Sequence, residues 1–423
     1  MQTKVSMVVP CYNKADYIDE FIQSVYNQEY DNIELIFVND GSTDGTKEKL
    51  DLWVSKLVKR GFDVVMISQA NKGVGTAVHS GLKQMTGEYI CMPDCDDVLH
   101  SDYVSRMSSV LDNNQFVQWV QCNTQSDDKF VIFYKYNLIE SYLLHSFFWT
   151  VWSKMIRRSY FDDCKILENF IDSRTTQECQ ISLPLVLGGE IPYIIEENLY
   201  DYRIIGASIM GQVKSEKLKI YKHWEDMKNL NIKVLKIHGA CSKRNIKLCE
   251  IMKKKLNWNG LRDSASYDDL LETICASDLI NSEQITILKK YKNTMSAEHI
   301  FLAFKYMLIG VEPANDLESR LKESRRLICC AVMSETARDF LDVVLDAGIR
   351  PDVFWDQSAI ENSTISGMPV CKPDYNSVTE DDTVIIFAKK VNVINEIKSL
   401  CNTKRVFGYN DVVQYLSYVV GRN

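Results

Sequence analysis

The chain has 423 residues, more than one compact core usually holds, so we expect two or three domains. Its hydrophobic fraction of 46% is that of a globular protein, and its formal net charge of -8 argues against nonspecific nucleic-acid binding. The 13 cysteines form no C-x-x-C pair, which favours reduced thiols, a cytoplasmic location and no structural zinc site. We expect neither a signal peptide before the first strand nor a transmembrane helix.

Strands alternate with helices over roughly the first ninety residues. Apolar runs predict strands at Val5–Pro10, Ile33–Val38, Val64–Ser68 and Tyr89–Met92. Amphipathic spacing predicts helices ending at Tyr26, beginning near Thr46 and covering Thr76–Gln84. This alternation implies right-handed crossovers and an α/β fold with a mostly parallel sheet, in which the loops after the strands open on one edge.

An acidic loop follows the fourth predicted strand. Asp94, Asp96 and Asp97 come directly after a short apolar run, and three neighbouring carboxylates would repel one another inside a strand or helix. A divalent cation would explain them, because Mg²⁺ and Mn²⁺ prefer oxygen ligands and share them with substrate phosphates. A solvated acidic turn is the alternative, since short motifs often match by chance.

Four motifs occur in the order and spacing of one known family: VVPCYN at 8–13, NDGSTDGT at 39–46, NKG at 71–73 and GEYICMPDCDD at 87–97. Together they resemble the family 2 glycosyltransferases of the GT-A fold. The resemblance continues through Trp152-Ser153-Lys154 to Tyr200–Arg203 and Ser208, about the first half of the chain. It implies an inverting, metal-dependent transfer of a sugar from a nucleotide-sugar to a glycan or lipid-linked acceptor in bacterial capsule or other surface polysaccharide synthesis.

The resemblance assigns roles on the donor side. Pro10 and Tyr12 are expected to shape the nucleotide pocket, and Asp40 resembles the aspartate that hydrogen-bonds the base. Asp94 and Asp96 resemble the D-x-D pair that holds Mn²⁺ or Mg²⁺ and meets the ribose and diphosphate. Such a metal stabilises the charge of the departing diphosphate as a Lewis acid. We expect the donor to be UDP-linked.

Two departures from the family pattern affect this assignment. Asn39 replaces the first aspartate of the usual D-D-G-S signature, and Val78-His79 stands where many relatives carry Arg-Asn. We therefore expect one cation on the phosphate side to be missing, for which Lys72 or Arg203 could compensate.

The catalytic base is expected in the segment RTTQECQ at 174–180. An inverting transfer needs a carboxylate that takes the proton of the acceptor hydroxyl. Glu178 is the first candidate and Asp172 the second, while Cys179 stands where relatives carry an aspartate, and a thiol is a poor base at neutral pH. Thr175 or Thr176 could cap the helix that begins here, so a capping role is the alternative for Glu178.

The acceptor side is expected to involve Asp97, Trp152 and Lys154, the last two within the aromatic segment Leu138–Phe161. The aromatic residues at 147–149, beside basic residues, could touch a lipid-linked acceptor or the inner face of the cytoplasmic membrane, as a peripheral contact. Core packing is the alternative that we favour, because aromatic helical stripes usually belong to the core.

The remaining chain predicts two further parts, so that the domains are 1–213 (GT-A), 214–325 (a helical linker or bundle) and 326–423 (a small Rossmann-like domain). Helices are predicted at 215–227, 245–256, 267–276, 282–291 and 297–307, with a break near 257–260. Strands at 327–332, 352–355, 383–388 and 405–408 and helices at 336–347 and 391–400 indicate the last domain.

The Rossmann-like domain is predicted to be degenerate. Its first turn, Val332–Thr336, has no glycine where the backbone must approach a pyrophosphate, and Glu335 would repel a phosphate there. We therefore expect a structural or partner-binding role. Asp356, after the strand DVFW, stands where a dinucleotide-binding domain holds the ribose, and it favours a working dinucleotide site instead.

Two classes of function remain open from the sequence. The first is a metal-dependent glycosyltransferase, favoured by Asp40, Asp94 and Asp96. The second is a noncatalytic nucleotide-sugar-binding or scaffold protein of a polysaccharide assembly complex, favoured by Val78, Cys179 and the degenerate C-terminal turn. The sugar, the base, the acceptor and the oligomeric state stay open.

Overall fold

The computed structural model of the protein describes residues 2–124, 138–144, 150–174, 177–203, 217–261, 264–292, 297–309, 317–332, 337, 341, 344–345, 349–360, 363–365, 367–388, 391–408 and 411–412. The chain forms two compact units, residues 1–262 and residues 263–423. All 13 cysteines are free thiols. None of the described helices is long and apolar enough to cross a membrane.

The first unit is built on a sheet of eight strands. The strands are β1 (Val5–Cys11), β2 (Ile33–Asn39), β3 (Asp63–Ser68), β4 (Tyr89–Cys91), β5 (Val98–Leu99), β6 (Trp119–Thr124), β7 (Lys154–Arg157) and β8 (Tyr193–Asp201). They lie in the order β3-β2-β1-β4-β7-β6-β8-β5. The first four strands are parallel to one another, and β7 runs antiparallel to both β4 and β6. The predicted α/β fold with a mostly parallel sheet is confirmed.

The central strands are near-continuous runs rich in Val and Ile, which predicts that both faces of the sheet are buried. Helices cover both faces. The helices are α1 (Ile18–Tyr26), α2 (Thr46–Arg60), α3 (Val74–Leu82), α4 (Tyr103–Asn113), α5 (Leu138–Leu143), α6 (Arg158–Asp163) and α7 (Gln177–Leu187). In α1, Ile18, Phe21, Ile22 and Val25 form one buried face with helical spacing. Parallel strands and crossover helices place the loops after β1, β2, β3 and β4 on one edge.

Two longer helices, α8 (Lys217–Ile237) and α9 (Lys243–Leu261), complete the first unit. Ion pairs join the two helices, because Lys228 and Lys253 each pair with both Glu225 and Glu250. The break predicted near 257–260 is wrong, because α9 continues to Leu261 with Trp258 buried beneath the Lys255 ammonium, 4.3 Å from its ring centroid. Burial of Asn257 and Trp258 outweighs the low helix propensity of the Asn and Gly residues here.

The boundary between the compact units differs from the predicted domain boundaries at 213 and 325. Helix α8 packs against α7, and α9 packs against α5, so both belong with the first sheet. The compact units therefore divide the predicted helical segment 214–325. The division into domains at 1–213, 214–325 and 326–423 stays a prediction.

The second unit begins with four helices, α10 (Ser264–Cys275), α11 (Ser282–Tyr291), α12 (Ala297–Ile309) and α13 (Leu317–Glu323). A sheet of six strands and helix α14 (Val391–Leu400) follow. The strands are β9 (Leu327–Cys330), β10 (Val353–Trp355), β11 (Thr364–Ile365), β12 (Met368–Cys371), β13 (Thr383–Ile386) and β14 (Val406–Phe407). Their order is β11-β12-β10-β9-β13-β14, parallel except for the β11–β12 pair. This is the predicted Rossmann-like arrangement.

The features predicted to decide nucleotide binding in this second sheet are only partly described. Residues 333–336 of the first turn and most of the predicted helix 336–347 lie outside the described residues. Asp356 is 9% exposed at the end of β10, where its carboxylate accepts bonds from the backbone N–H (2.9 Å) and hydroxyl (2.5 Å) of Ser358. The degenerate character of this domain stays a prediction.

Candidate functional site

The loops after β1 and β2 are tied together at the carboxyl edge of the first sheet. The backbone N–H of Lys14 donates to the Thr46 hydroxyl over 2.7 Å, and that of Ala15 donates to the Asp44 carboxylate over 3.0 Å. Asp44 also accepts from the backbone N–H of Thr46 at the start of α2. The residues that directly follow the motif at 8–13 and the motif at 39–46 thus fold as one fixed platform beside the end of β4.

Asp40 lies beneath the neighbouring loop. It is 2% exposed, and its carboxylate accepts three hydrogen bonds, from the Gln69 side chain (2.8 Å) and from the backbone N–H groups of Lys72 (2.9 Å) and Gly73 (2.8 Å). Both carboxylate oxygens therefore hold the segment 69–73. The Lys72 side chain itself is exposed. Binding of a base by Asp40 stays a prediction, and the bonds give this residue a further role in shaping the loop.

We expect Asp40→Ala to lower the free energy of unfolding by about 2–4 kcal/mol, because it leaves three part-buried donors without their acceptor. Urea denaturation measures this loss. Calorimetry with UDP, with and without MnCl2, should show weaker binding in both conditions. Asp63→Ala is the control, because Asp63 pairs with Lys4 on the exposed side of β3. A stable Asp40→Ala protein that loses only UDP binding would instead indicate direct contact with the base.

Asp94, Asp96 and Asp97 converge after β4, with one carboxylate oxygen from each lying within 4.8 Å of the others. Asp97 is 1% exposed and already accepts bonds from the Tyr200 hydroxyl (2.7 Å) and the backbone N–H of Arg203 (2.8 Å). The same hydroxyl accepts a bond from the backbone N–H of Asp94 (3.0 Å). Asp97 thus anchors the loop to the end of β8, and Asp94 and Asp96 are the better candidates for metal ligands.

Negative charge is concentrated at this cluster. Burial raises the pKa of Asp94, and the carboxylates of Asp96, Asp97 and Glu178 raise it further. Burial also raises the pKa of Asp97 to about 6. The neighbouring carboxylates thus make the ionisation of Asp94 less favourable. A divalent cation bound among them would relieve this repulsion, so the donor set fits Mg²⁺ or Mn²⁺.

Among the described residues, Lys14 and Arg203 bring positive charge to the cluster. The Lys14 ammonium lies 2.5 Å from a carboxylate oxygen of Asp96, and both side chains are largely buried. The Arg203 guanidinium donates to the backbone carbonyl of Asp96 and pairs with Glu20, while stacking over the Tyr17 ring. Sequence reasoning assigned no role to Lys14, because 82 residues separate it from Asp96 and only the fold brings them together.

The two candidate bases have different surroundings. Glu178 lies half-buried in the first turn of α7, and burial raises its pKa. Its charge acts on both Asp94 and Lys154. Asp172 is exposed and bonds the Nδ1 atom of His79 over 2.8 Å, a contact that lowers the pKa of Asp172. The structure thus places Glu178 near the acidic cluster.

The segment before α7 is held against the start of α3. The backbone N–H groups of Val74 and Thr76 donate to the carbonyls of Arg174 (3.2 Å) and Ser173 (3.1 Å). Gly73 adopts φ +92°, and a Cβ there would overlap the backbone of Arg174. The loop at 69–73 and the segment that leads to Glu178 are therefore in direct contact. Thr175 and Thr176, the predicted caps, lie outside the described residues.

Aromatic rings line the other side of the acidic loop. The half-buried Trp152 ring stacks on Tyr200 (4.7 Å between centroids, 26° between planes) and on Tyr202 (5.4 Å, 14°). Tyr202 is 37% exposed, so this stack reaches the surface. Lys154, in contrast, is fully buried, and its ammonium donates to the Thr150 carbonyl. Burial holds the pKa of Lys154 well below its ordinary value.

The remaining predicted residues lie along the same edge or outside the described part. Pro10 pairs in register with Val38 near the end of β1, and Tyr12 follows it with 44% of its surface exposed. Val78 is buried within α3, and the His79 ring stacks on Phe170 at 4.8 Å. The aromatic residues at 147–149 and Ser208 lie outside the described residues.

Comparison with known proteins gives the following matches. Residues 6–169 match the model of the family described as "Glycosyl transferase family 2". The uncharacterized glycosyltransferase EpsJ of Bacillus subtilis is 31% identical over 215 residues, covering 47% of this chain and 60% of EpsJ. The glycosyltransferase GlyA of Streptococcus pneumoniae is 36% identical over 104 residues, covering 25% of this chain and 14% of GlyA. The chain therefore spans less than two thirds of the length of these relatives.

Among solved structures, Staphylococcus aureus TarS residues 1–349 in complex with UDP is 16% identical to this chain, with a TM-score of 0.45. The match covers 76% of this chain and 93% of that one.

Proposed function

We propose that this protein transfers a sugar from a nucleotide-sugar to an acceptor hydroxyl, with inversion and with a divalent metal. The match of residues 6–169 to the model of glycosyltransferase family 2 supports this proposal. The observation that carries the proposal is the convergence of Asp94, Asp96 and Asp97 at the carboxyl edge of the sheet, beside Glu178. Open α/β sheets bind their ligands at this edge. UDP is the proposed nucleotide.

On the donor side, Asp94 and Asp96 would hold Mn²⁺ or Mg²⁺. When bound, the metal supplies positive charge that neutralises the diphosphate. Asp97 fixes the loop through Tyr200 and the backbone of Arg203. The nucleoside is proposed to bind against Pro10, Tyr12 and the segment held by Asp40. Lys72 and Arg203 would contribute positive charge nearby.

On the acceptor side, Glu178 is proposed to take the proton of the attacking hydroxyl. A general base works best when its pKa approaches the operating pH, and burial shifts the pKa of Glu178 in that direction. Its position near Asp94 places it beside the proposed diphosphate site. Asp172 is the second candidate for the base.

The Trp152–Tyr202 stack is proposed to receive the acceptor, because aromatic faces pack against the apolar faces of sugar rings. The acceptor is proposed to be a glycan or lipid-linked molecule of bacterial surface polysaccharide synthesis, such as capsule. A peripheral contact with the inner face of the cytoplasmic membrane belongs to the same proposal. Such contact would rest on the aromatic residues at 147–149, for which core packing is the favoured alternative.

A noncatalytic nucleotide-sugar binder is the second candidate. Two observations favour it: Cys179 replaces the usual aspartate and is 2% exposed, and Val78, in place of an arginine, is 1% exposed. Cys179 cannot supply the negative charge of an aspartate at neutral pH, and Val78 cannot supply the positive charge of an arginine.

Donor hydrolysis distinguishes the two candidates. We expect the purified protein to hydrolyse one member of a panel of UDP- and GDP-sugars slowly in MnCl2, and EDTA to abolish this turnover. The hydrolysis is expected because water can replace the acceptor hydroxyl in an open site. Released nucleoside diphosphate is the quantity to measure. Tight binding of a donor, with no release of nucleoside diphosphate in any condition, would favour the noncatalytic binder.

A further inference from the structure

The ion pair between Lys14 and Asp96 places a cation of the protein itself on a proposed metal ligand. The ammonium lies 2.5 Å from the Asp96 carboxylate, and the two side chains are only 18% and 15% exposed. A hydrogen bond between charged partners in such a setting is stronger than one between neutral groups. Asp96 therefore already has a positively charged partner before any metal arrives.

The backbone of Lys14 is fixed, so its side chain alone can leave this position. Its N–H donates to the Thr46 hydroxyl (2.7 Å), and its carbonyl accepts from the backbone N–H groups of Tyr17 (3.0 Å) and Ile18 (2.9 Å). The four-carbon side chain of lysine carries its charge on a flexible stem. Once released from Asp96, the ammonium remains tethered beside the acidic cluster.

We propose that Lys14 is a positioning residue that couples metal binding to nucleotide binding. A divalent cation must displace the Lys14 ammonium from Asp96, so the metal alone binds weakly. The displaced ammonium then faces the anionic diphosphate that arrives with the metal, so that nucleotide binding compensates for the lost ion pair. Two ligands that favour the same rearrangement bind cooperatively, and each raises the affinity of the other by the same factor.

The inference rests on the proposed function and is tested first with MnCl2 alone. Electron paramagnetic resonance of free Mn²⁺ measures its affinity without nucleotide. We expect Lys14→Gln to bind Mn²⁺ about tenfold more tightly than the natural protein, the worth of one hydrogen bond to a charged group. Lys14→Met should repeat this result with an uncharged chain of similar length, and Lys14→Arg should behave like the natural protein.

The second measurement is calorimetry with UDP in saturating MnCl2. There Lys14→Gln should bind UDP about tenfold more weakly, because it has no ammonium to offer the diphosphate. Lys47→Gln is the matched control, since it removes the same charge from an exposed i,i+4 pair with Asp51 and should change neither affinity.

The outcomes separate this inference from the proposed function. Unchanged or weaker Mn²⁺ binding by both Lys14→Gln and Lys14→Met, with normal Mn²⁺-dependent UDP binding by the natural protein, overturns the inference alone. Absence of Mn²⁺ binding by the natural protein even with UDP overturns the metal-dependent function and the inference together. Tighter Mn²⁺ binding together with weaker UDP binding supports both.

Discussion

Replacing Asp96 with alanine is expected to lower the affinity for UDP in MnCl2 by about a thousandfold, the largest effect of any single substitution considered for donor binding. The reason is that Asp96 and Asp94 offer the carboxylate oxygens that remain for a metal, whereas Asp97 already holds Tyr200 and Arg203. Asp94→Ala should weaken binding similarly. Calorimetry with UDP measures both variants.

The same titration in EDTA provides an internal comparison. Without metal, Asp96→Ala should bind UDP no more weakly than the natural protein, since the substitution removes a negative charge and frees Lys14. Asp51→Ala is the matched control, because its carboxylate lies on an exposed face of α2 and pairs only with the nearby Lys47 in the described contacts. Unchanged affinity of Asp96→Ala in MnCl2 would exclude Asp96 as a metal ligand.

Glu178→Gln is expected to keep donor and metal binding but to lower the rate of sugar transfer by about a hundredfold or more. Glutamine preserves the size and much of the hydrogen bonding of the side chain, yet it cannot accept a proton at neutral pH. The measurement is kcat with the identified donor and acceptor, beside the affinity for UDP. A fall in kcat with an unchanged affinity separates loss of the base from loss of the site.

Asp172→Asn is the paired control for this experiment. Its exposed carboxylate bonds His79 and should contribute little to transfer. If transfer by Glu178→Gln continues at the natural rate while Asp172→Asn fails, the base is Asp172. If both variants remain active, Asp97 beside the metal loop becomes the next candidate.

The dependence of the rate on pH offers an independent check of the same base. A base acts only when deprotonated, so the rate falls as the pH drops through its pKa. Burial raises the pKa of Glu178 above the ordinary glutamate value, so the acid limb should lie above the range of a solvated glutamate. In Glu178→Gln this limb should disappear from whatever rate remains.

The first four strands of the first sheet could be predicted because each is a short apolar run that ends in turn residues, whereas β5 to β8 were not predicted. The predicted strand at 33–38 differs from β2 by one residue at its end, and the D-x-D loop follows β4 as expected. Glu178 could also be placed in the first turn of a helix, since capping residues precede it. Each of these features depends on residues that are close to one another in the sequence, so the sequence alone predicts it.

Contacts across long stretches of chain could not be predicted in the same way. Lys14 meets Asp96 only because β1 and β4 are adjacent in the sheet, and Asp40 meets the loop 69–73 through the pairing of β2 with β3. The continuation of α9 beyond 257 depends on burial of Trp258, which outweighs local propensity. Each case is decided by packing that no local pattern reports.

The contact between Gly73 and the segment before α7 has a consequence for how such chains diversify. Gly75 approaches Ser173 as closely as Gly73 approaches Arg174, and a Cβ at either glycine would overlap the facing chain. The facing atoms include the backbone of residues 173 and 174, which every residue type shares, so no substitution there makes room for a larger side chain. Positions 73 and 75 should therefore stay glycine as the surrounding sequence diverges, and a change in the shape of this loop must move the segment that approaches Glu178 with it.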